Sequence, residues 1–428
     1  MADHHVPRLG FWAFSATAIF SALAIGAGEL VFWPSLVLAN GPSVIWLGIA
    51  AVVLQWFINI EIARTTLLTR HKLGSHVAAQ WPLLGMLLAL GATVPWVWPG
   101  WVLGGAQFVA ILNYGPEKPI AVGILVLSVL LLLGPGNRFR WLAIVQSIGL
   151  GLLLLGVLLV FAYVEWRFGG LSRFSRLLFA EAGFLKPIAS LRTSDDLAFF
   201  TMLGGIVFAG AGGIMNLGYG YLLIERGGIP EIRDAAGLRP WMRLVRLEHG
   251  LLFALANSLT IGFIAAMLWM TFGGVTPKGG GVALVAAAHD ILARENPLIG
   301  ASFALAGFLV FWTSAVGVLD FASRIAADIL GRLTGLAELK LYNGLVLGQA
   351  LLSALILFSP ITQPFWLMVI SAVLNTGVMA LYCGYLVWNN ARQVPTWAKP
   401  GWPIQAILGL GCLLYCALLM LAVARVVG

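Results

Sequence analysis

The chain has 428 residues, of which 60% are hydrophobic and 10% are charged, and its formal net charge is +8. Water-soluble domains carry about 25% charged residues, so this composition excludes a soluble globular protein and predicts an integral membrane protein. The basic residues are scattered over several short segments, which is typical of membrane orientation and argues against a nucleic-acid-binding surface.

Apolar runs long enough to cross about 30 Å of hydrocarbon as helices follow one another along the chain. The runs are continuous rather than alternating, so they predict helices and not a β-barrel. We number them span 1 to span 11 in chain order, at residues 11–39, 43–67, 82–113, 119–135, 141–165, 197–224, 247–273, 297–325, 343–360, 363–389 and 402–426. Span 1 is too long for a signal peptide, so it is expected to remain as a span.

The lysine and arginine residues predict how the spans are oriented. With the N-terminus in the cytoplasm, the inner side receives more of them than the outer loops. We therefore expect a plasma (inner) membrane protein with its N-terminus inside and, because the number of spans is odd, its C-terminus outside. The segment from Glu165 is predicted to be an amphipathic helix on the outer surface or an ordered outer loop. The charged segment from Glu225 is predicted to be a cytoplasmic linker between two halves.

Two spans contain the same small, helix-weakening triplet. Span 1 carries Gly26, Ala27 and Gly28 in "AIGAGELVFWP", and span 6 carries Gly-Ala-Gly ending at Gly212 in "FAGAGGIMN". A helix broken in mid-membrane exposes N–H groups on one half and C=O groups on the other, which together form a polar site for an ion or a charged substrate. The alternative is that the small residues serve only close helix packing.

Glu29 follows the first triplet directly and adds a carboxylate to an apolar span. A carboxylate at this depth costs several kcal/mol and is kept mainly where it meets water, a cation or a proton path. A cation there is expected to bind Glu29 together with Met215 and Asn216, which offer a soft sulfur and an amide oxygen after the second triplet. The competing interpretation is a protonated Glu29 or a purely structural ion pair.

Two closely spaced pairs of charged residues lie within predicted spans, at Glu61 and Arg64 on span 2 and at Asp320 and Arg324 on span 8. Their spacings of three and four residues allow each pair to form on one helix face. They are interpreted either as a structural lock on the cytoplasmic side or as a gate that opens during transport. The neutral side chains of Thr313, Ser314 and Asn375 are expected to hydrogen-bond within the bundle, and the alternative is that they line a transport path.

The sequence predicts no cofactor and no enzymatic activity. No catalytic histidine or Ser-His-Asp set and no HExxH spacing appears in the spans. Cys383, Cys412 and Cys416 lie in the last two spans, where neither a disulfide framework nor a zinc site is expected. The expected partners are the lipid bilayer and a small substrate, and the oligomeric state stays open.

The residues resemble those of Nramp-related transporters over nearly the whole chain. The resemblance rests on the stretch from "AIGAGELVFWP" to "NIEIARTTLLTRHKLG", on "PWVWPGWVLGG" in span 3 and on Met215 in span 6. It implies an all-α LeuT-type fold with two inverted five-helix repeats at 11–165 and 197–389, an additional helix at 402–426 and unwound spans 1 and 6. It also implies alternating access around a central site, which in Nramps takes a divalent transition metal and is usually coupled to protons.

The chain departs from the Nramp pattern at the site itself. Gly26 and Glu29 stand where metal-transporting Nramps carry the ligand Asp and Asn of Asp-Pro-Gly-Asn, and Met215 is followed by Asn216 and Leu217 where they carry Pro-His. The acidic residues of the third helix are replaced by "VPWVWPGW". The stretch "IGAGELVFWP" is also similar to the Gly-x-Gly break of amino acid transporters that share this fold.

The sequence therefore predicts a secondary transporter that moves a metal cation through a site made of Gly26, Ala27, Gly28, Glu29, Gly212, Met215 and Asn216. The alternative is an amino acid or amine transporter of the same fold. A channel is the interpretation from a different class, and the paired halves and buried ion pairs favour alternating access over an open pore.

Overall fold

The computed structural model describes residues 11–26, 28–112, 114–135, 138–179, 195–275, 277, 282–360 and 363–427. All regular structure in these ranges is helical. Eight helices are at least 18 residues long and apolar enough to cross a membrane, and a bent pair of helices makes a ninth candidate. The eight are Pro42–Thr69, Pro82–Ile111, Arg138–Phe168, Ala235–Thr271, Pro297–Thr334, Glu338–Leu357, Pro364–Arg392 and Trp402–Val427.

The remaining three predicted spans are short or broken. Span 1 is the bent pair, with its halves Phe14–Ala24 and Gly28–Asn40 at 41° to each other. Span 4 is Glu117–Leu133, with 17 residues. Span 6 consists of Asp196–Val207 and Gly218–Arg226, joined through a 3₁₀ turn at Gly213–Leu217. Every predicted span thus coincides with helical structure, and the predicted all-α polytopic fold is confirmed.

Span 3 is interrupted near its middle. The helix Pro82–Thr93 passes through a 3₁₀ turn at Val94–Trp96 into the helix Gly100–Ile111. Pro95 and Pro99 lack the N–H group that a continuous helix needs, so they explain the interruption. The interruption places Trp96 in the turn, and Trp101 at the beginning of the second helix, in buried positions at the centre of the bundle.

The segment after span 6 differs from the prediction of a long linker. Only residues 227–234 separate the helices, because a helix begins at Ala235 and runs into span 7 through a π-helical turn at Gly250–Leu255. The carboxylate of Asp234 accepts a hydrogen bond from the Gly237 N–H at 2.8 Å and caps this helix. The added helical part is amphipathic rather than apolar, which is why hydrophobic run length did not reveal it.

The segment from Glu165 contains the amphipathic helix that was predicted as one of two alternatives. It spans Leu171–Leu178, and its buried Phe174 packs edge-on against Trp269 at 5.6 Å between ring centroids. Residues 180–184 of the predicted segment lie outside the described residues, as do the N-terminal residues 1–10.

Burial separates central from peripheral spans. In span 8, 78% of the apolar window is buried inside the protein, against 33%, 28% and 28% in spans 5, 9 and 11. The described parts of spans 1 and 6 are buried almost throughout. Spans 1, 6 and 8 therefore form the centre of the bundle, and the two broken spans meet there.

Candidate substrate-binding site

The break in span 1 leaves backbone groups without helical partners, and two side chains satisfy them. The Ser314 hydroxyl on span 8 donates to the carbonyl oxygen of Leu23 at 3.0 Å and approaches that of Ile25 at 3.4 Å. On the other side of the break, the Gly26 N–H donates to Glu29 Oε2 at 2.8 Å. The predicted site residue Ala27 lies outside the described residues.

Glu29 is completely buried at the beginning of the second half of span 1. A glutamate that reaches back three residues to a backbone N–H has the geometry of the acidic member of a capping box. This contact occupies only one carboxylate oxygen. The other, Oε1, has no hydrogen-bond partner within the described residues, and such an orphaned acceptor needs a functional explanation.

The break in span 6 is satisfied by a side chain from span 2. The Gln55 amide donates to the carbonyl oxygen of Val207 at 3.0 Å, and its oxygen accepts from the Gly212 N–H at 3.1 Å. Gly212 and Gly213 have φ of +70° and +52°, a left-handed conformation that glycine adopts at no steric cost. Sequence reasoning missed Gln55, although an amide in the middle of an apolar span was a usable signal.

The two breaks touch each other. The backbone of Gly28 lies so close to Phe208 that a Cβ on Gly28 would stand 1.9 Å from the Phe208 carbonyl oxygen. Gly213 is similarly close to span 10, where its Cβ would stand 1.8 Å from Asn375 Oδ1. Glycine at these two positions therefore allows spans 1, 6 and 10 to approach.

A small cavity of about 10 Å³, lined by buried residues, lies between the two breaks. This is about the space of one water molecule, which needs roughly 10–15 Å³. Its lining includes Gly26 from the first break and Gly210 from the second, together with the side chains of Trp96, Trp101 and Phe208. The Trp101 ring meets the Phe208 ring edge-on at 5.4 Å. The centre of the protein is thus a small site with aromatic walls, which sequence reasoning did not predict.

Met215 and Asn216 lie in the 3₁₀ turn that follows the second break, and both are buried. The Asn216 amide donates to the Tyr382 hydroxyl on span 10 at 2.9 Å. Met215, Asn216 and Glu29 are all absent from the lining of the 10 Å³ cavity. Asn216 Oδ1 has no partner within the described residues. The described part of the chain contains no group of three or more His, Cys, Asp and Glu side chains arranged to hold a metal ion.

Glu61 and Arg64 form an ion pair at the end of the bundle where span 2 ends, which we call the basic end. Arg64 Nε lies 2.9 Å from Glu61 Oε2, and Nη2 lies 3.2 Å from Oε1. Arg64 also donates to the Ala398 carbonyl oxygen at 3.0 Å, and the Asn390 amide donates to Glu61 at 3.1 Å. This first cluster joins span 2 to span 10 and to the segment before span 11.

Asp320 and Arg324 form a second buried pair, with Arg324 Nε 2.6 Å from Asp320 Oδ2. Arg324 also pairs with Glu225 at the end of span 6, and the Tyr342 hydroxyl donates to Asp320 at 2.7 Å. Within the described residues, no ion pair or hydrogen bond joins this cluster directly to the Glu61 pair.

A third cluster was missed by sequence reasoning. Arg226 lies 3.0 Å from Glu248 on span 7, which also accepts from the Tyr219 hydroxyl at 2.8 Å. The partners are 22 residues apart, so no helical spacing revealed the pair. The three clusters together close the basic end beneath the two breaks.

The fold and the site define an all-α polytopic membrane protein of LeuT-type architecture, in which broken spans 1 and 6 meet at a central buried site. Solved structures of transporters share this fold. The manganese transporter of Eremococcus coleocola, in a mutant form, is similar with a TM-score of 0.71 and 14% identity, over 98% of this chain and 88% of that one.

Two further structures extend the comparison. MhsT in complex with L-phenylalanine has a TM-score of 0.62 and 14% identity over 98% of this chain and 100% of its own. A Na⁺-coupled sialic acid symporter in a substrate-bound outward-open state has a TM-score of 0.59 and 14% identity, over 97% of this chain and 90% of that one. No protein-family model matches the chain, and no curated protein matches it in sequence.

Proposed function

We propose that the protein is a secondary active transporter that works by alternating access and moves a small cation, with a divalent metal ion as the first candidate. The observation that carries the proposal is Glu29, a buried carboxylate with one free oxygen, beside the point where the two broken spans touch. A single negative charge in a water-excluding site selects for positive charge. The structural similarity to a manganese transporter supports the metal.

The size of the central cavity supports a small cargo. Its volume of about 10 Å³ accepts a single ion but no larger molecule in this conformation. The donors proposed for a metal are Glu29 Oε1, the Met215 sulfur and the Asn216 amide oxygen, of which the carboxylate and amide are hard donors and the sulfur a soft one. Asn216 is turned toward Tyr382 here, and none of the three donors lines the cavity. Binding through them therefore requires the break in span 1 and the 3₁₀ turn to move toward the cavity.

Alternating access is proposed because the site is closed toward both ends of the bundle. Toward the end opposite the basic end, Phe32 contacts Phe208 and Phe365 at 6.3 and 5.5 Å between ring centroids. Toward the basic end, the Glu61, Asp320 and Glu248 clusters join different spans. We propose that the repeats 11–165 and 197–389 move against each other and open these two barriers in turn, which distinguishes the protein from a channel.

The alternative substrate is an amine or an amino acid, and the aromatic walls favour it. Trp96, Trp101 and Phe208 surround the cavity, and aromatic faces attract ammonium groups. The buried Trp96 indole N–H has no partner within the described residues and would suit a substrate carboxylate. The Gly26 N–H, by contrast, is already bound to Glu29, so a carboxylate would not find that donor free.

We further propose that the protein has no catalytic activity and lies in the inner membrane with its basic end toward the cytoplasm. The exposed arginines of residues 233–246 and the end of span 10 support this orientation through the preference of basic residues for the cytoplasmic side. The structural neighbours are transporters, which supports transport rather than catalysis.

Calorimetry on the purified protein tests the proposal with divalent cations, amines and amino acids before and after Glu29→Gln. This substitution keeps the shape of the side chain and removes its charge. A cation should lose about 1.5–3 kcal/mol of binding free energy, or roughly ten- to a hundred-fold in affinity. Glu231→Gln, which alters an exposed loop carboxylate, is the matched control. Tight binding of a neutral or anionic ligand that Glu29→Gln leaves unchanged would overturn the cation site.

A further inference from the structure

A second cavity, of about 280 Å³, lies at the basic end, away from the two breaks. Its lining includes Arg239, Arg243 and Arg246 of the helix Ala235–His249, and Trp397 and Lys399 before span 11. Within the described residues no carboxylate contributes to this lining. At about 30 Å³ per molecule in the liquid, this volume corresponds to roughly nine water molecules, so a polar group of some size fits inside.

The three arginines present unpaired charge to this cavity. All three side chains are exposed, and no ion pair or hydrogen bond of theirs is found within the described residues. Their positions, four and three residues apart, place them on one face of the helix. Like charges at this spacing repel each other by a few tenths of a kcal/mol, so the bare arrangement is unfavourable and a bound anion relieves it.

The same helix face continues as an apolar strip. Leu247, Leu251 and Leu255 follow Arg243 at intervals of four residues, and their exposed fractions are 44%, 47% and 49%. Half-exposed leucines on a membrane-spanning helix face the acyl chains of lipid. The three arginines therefore lie directly beyond the leucine strip, on the side toward the basic end.

The length of the helix places the arginines outside the hydrocarbon. Ala235–Thr271 has 37 residues and is therefore about 55 Å long, against about 30 Å of hydrocarbon. With the leucines in the hydrocarbon, Arg239 to Arg246 lie at the level of the lipid headgroups. Trp397 in the cavity wall is 38% exposed, and tryptophan is enriched at this level of the membrane.

We propose that this cavity binds the phosphate group of an anionic phospholipid whose acyl chain lies along Leu247, Leu251 and Leu255. Arginine binds phosphate through charge-assisted and frequently bidentate hydrogen bonds. Basic pockets between membrane-spanning helices are a recurrent form of anionic headgroup site. The lipid would also contact Lys399 and Trp397, and it would thereby join span 7 to the segment before span 11.

The test compares the native protein with the triple variant R239Q/R243Q/R246Q. The matched control is R332Q/K340Q/R392Q, which removes three exposed positive charges from the same end but outside the cavity. Each protein is purified in detergent with equal amounts of phosphatidylglycerol and phosphatidylcholine, and native mass spectrometry counts the retained lipid. We expect the native and control proteins to retain phosphatidylglycerol preferentially, and the cavity variant to retain at least ten-fold less of it.

Free inorganic phosphate carries the same charged group as the lipid and is the alternative ligand. A second experiment distinguishes free phosphate from the phospholipid. Inorganic phosphate is added to lipid-depleted native protein, and the thermal unfolding temperature is compared with that after adding phosphatidylglycerol. We expect the lipid to raise this temperature and phosphate at the same concentration to leave it unchanged. An equal rise with phosphate alone would overturn the lipid assignment.

Equal lipid retention by the native protein and the cavity variant, or no preference over phosphatidylcholine, would overturn the proposal altogether. Circular dichroism and gel-filtration elution establish that the triple variant is folded. If it is not, R243Q alone serves as the cavity variant, because the Arg243 side chain is exposed and removing its charge leaves no buried group without a partner.

Discussion

The backbone of Gly28 in span 1 lies against the carbonyl oxygen of Phe208 in span 6, with no space between them for even a methyl group. This contact explains why the first triplet ends in glycine. Gly28→Ala would place a Cβ 1.9 Å from that oxygen, so the two broken spans would have to separate.

We therefore expect Gly28→Ala to abolish transport in proteoliposomes and to lower the thermal unfolding temperature of the purified protein. Gly262→Ala on span 7 is the matched control, because nothing lies within 4 Å of its Cβ position. Alanine is the better helix former there by up to about 1 kcal/mol, so the control should be neutral or stabilising. Wild-type uptake by Gly28→Ala would show that the contact is not needed during transport.

Gln55 is expected to be essential for the shape of the second break. Gln55→Leu leaves the Gly212 N–H and the Val207 carbonyl without their side-chain partner, and each buried unsatisfied group costs about 1–3 kcal/mol. The unfolding temperature should fall clearly below that of Gln393→Leu, which changes an exposed glutamine. Equal temperatures for the two variants would contradict this role.

The Glu61–Arg64 pair is expected to behave as one unit. Removing either charge leaves the other buried and uncompensated, at a cost of about 3–5 kcal/mol. The destabilisations by Glu61→Gln and by Arg64→Gln should therefore add up to more than the destabilisation measured for the double variant. A double-mutant cycle on unfolding in detergent should give a coupling energy of about 0.5–3 kcal/mol.

The control cycle pairs Glu61→Gln with Arg324→Gln. These residues belong to different clusters, so their effects should add within about 0.5 kcal/mol. Additive effects within the Glu61–Arg64 cycle itself would show that this ion pair contributes nothing specific to the basic end.

Orientation can be tested by cysteine labelling in intact cells. Arg233→Cys lies in the exposed segment after span 6, and Arg173→Cys lies on the amphipathic helix at the opposite end. A maleimide that does not cross the membrane should label the cysteine at 173 and not the one at 233. The unmodified chain, with its three native cysteines, gives the background. The reverse labelling pattern would show that the protein has the opposite orientation in the membrane.

Local sequence patterns predicted the features that depend on local chemistry. Run length gave the positions of the spans, and the two glycine triplets indicated where spans 1 and 6 break. Helical spacing brought together Glu61 with Arg64 and Asp320 with Arg324, because partners three or four residues apart meet on one face.

The features that were missed depend on contacts across the bundle. Gln55 acts on residues more than 150 positions away, and the aromatic cavity combines Trp96 of span 3 with Phe208 of span 6. The proposed ligands Met215 and Asn216 are adjacent in the chain to the second break, yet the Asn216 side chain turns to span 10. Sequence distance does not determine such packing.

The partners that close the two breaks impose an order on biogenesis. Gln55 precedes the break in span 6, so its amide is already present when Val207 and Gly212 leave the ribosome. Ser314 follows Leu23 by 291 residues, which at roughly 5–20 residues per second is about 15–60 s of translation. Throughout that interval the nascent first span holds carbonyl groups that only water, the insertion machinery or lipid headgroups can satisfy. The first broken helix is therefore the earliest part of the site to be synthesised and among the last to be completed.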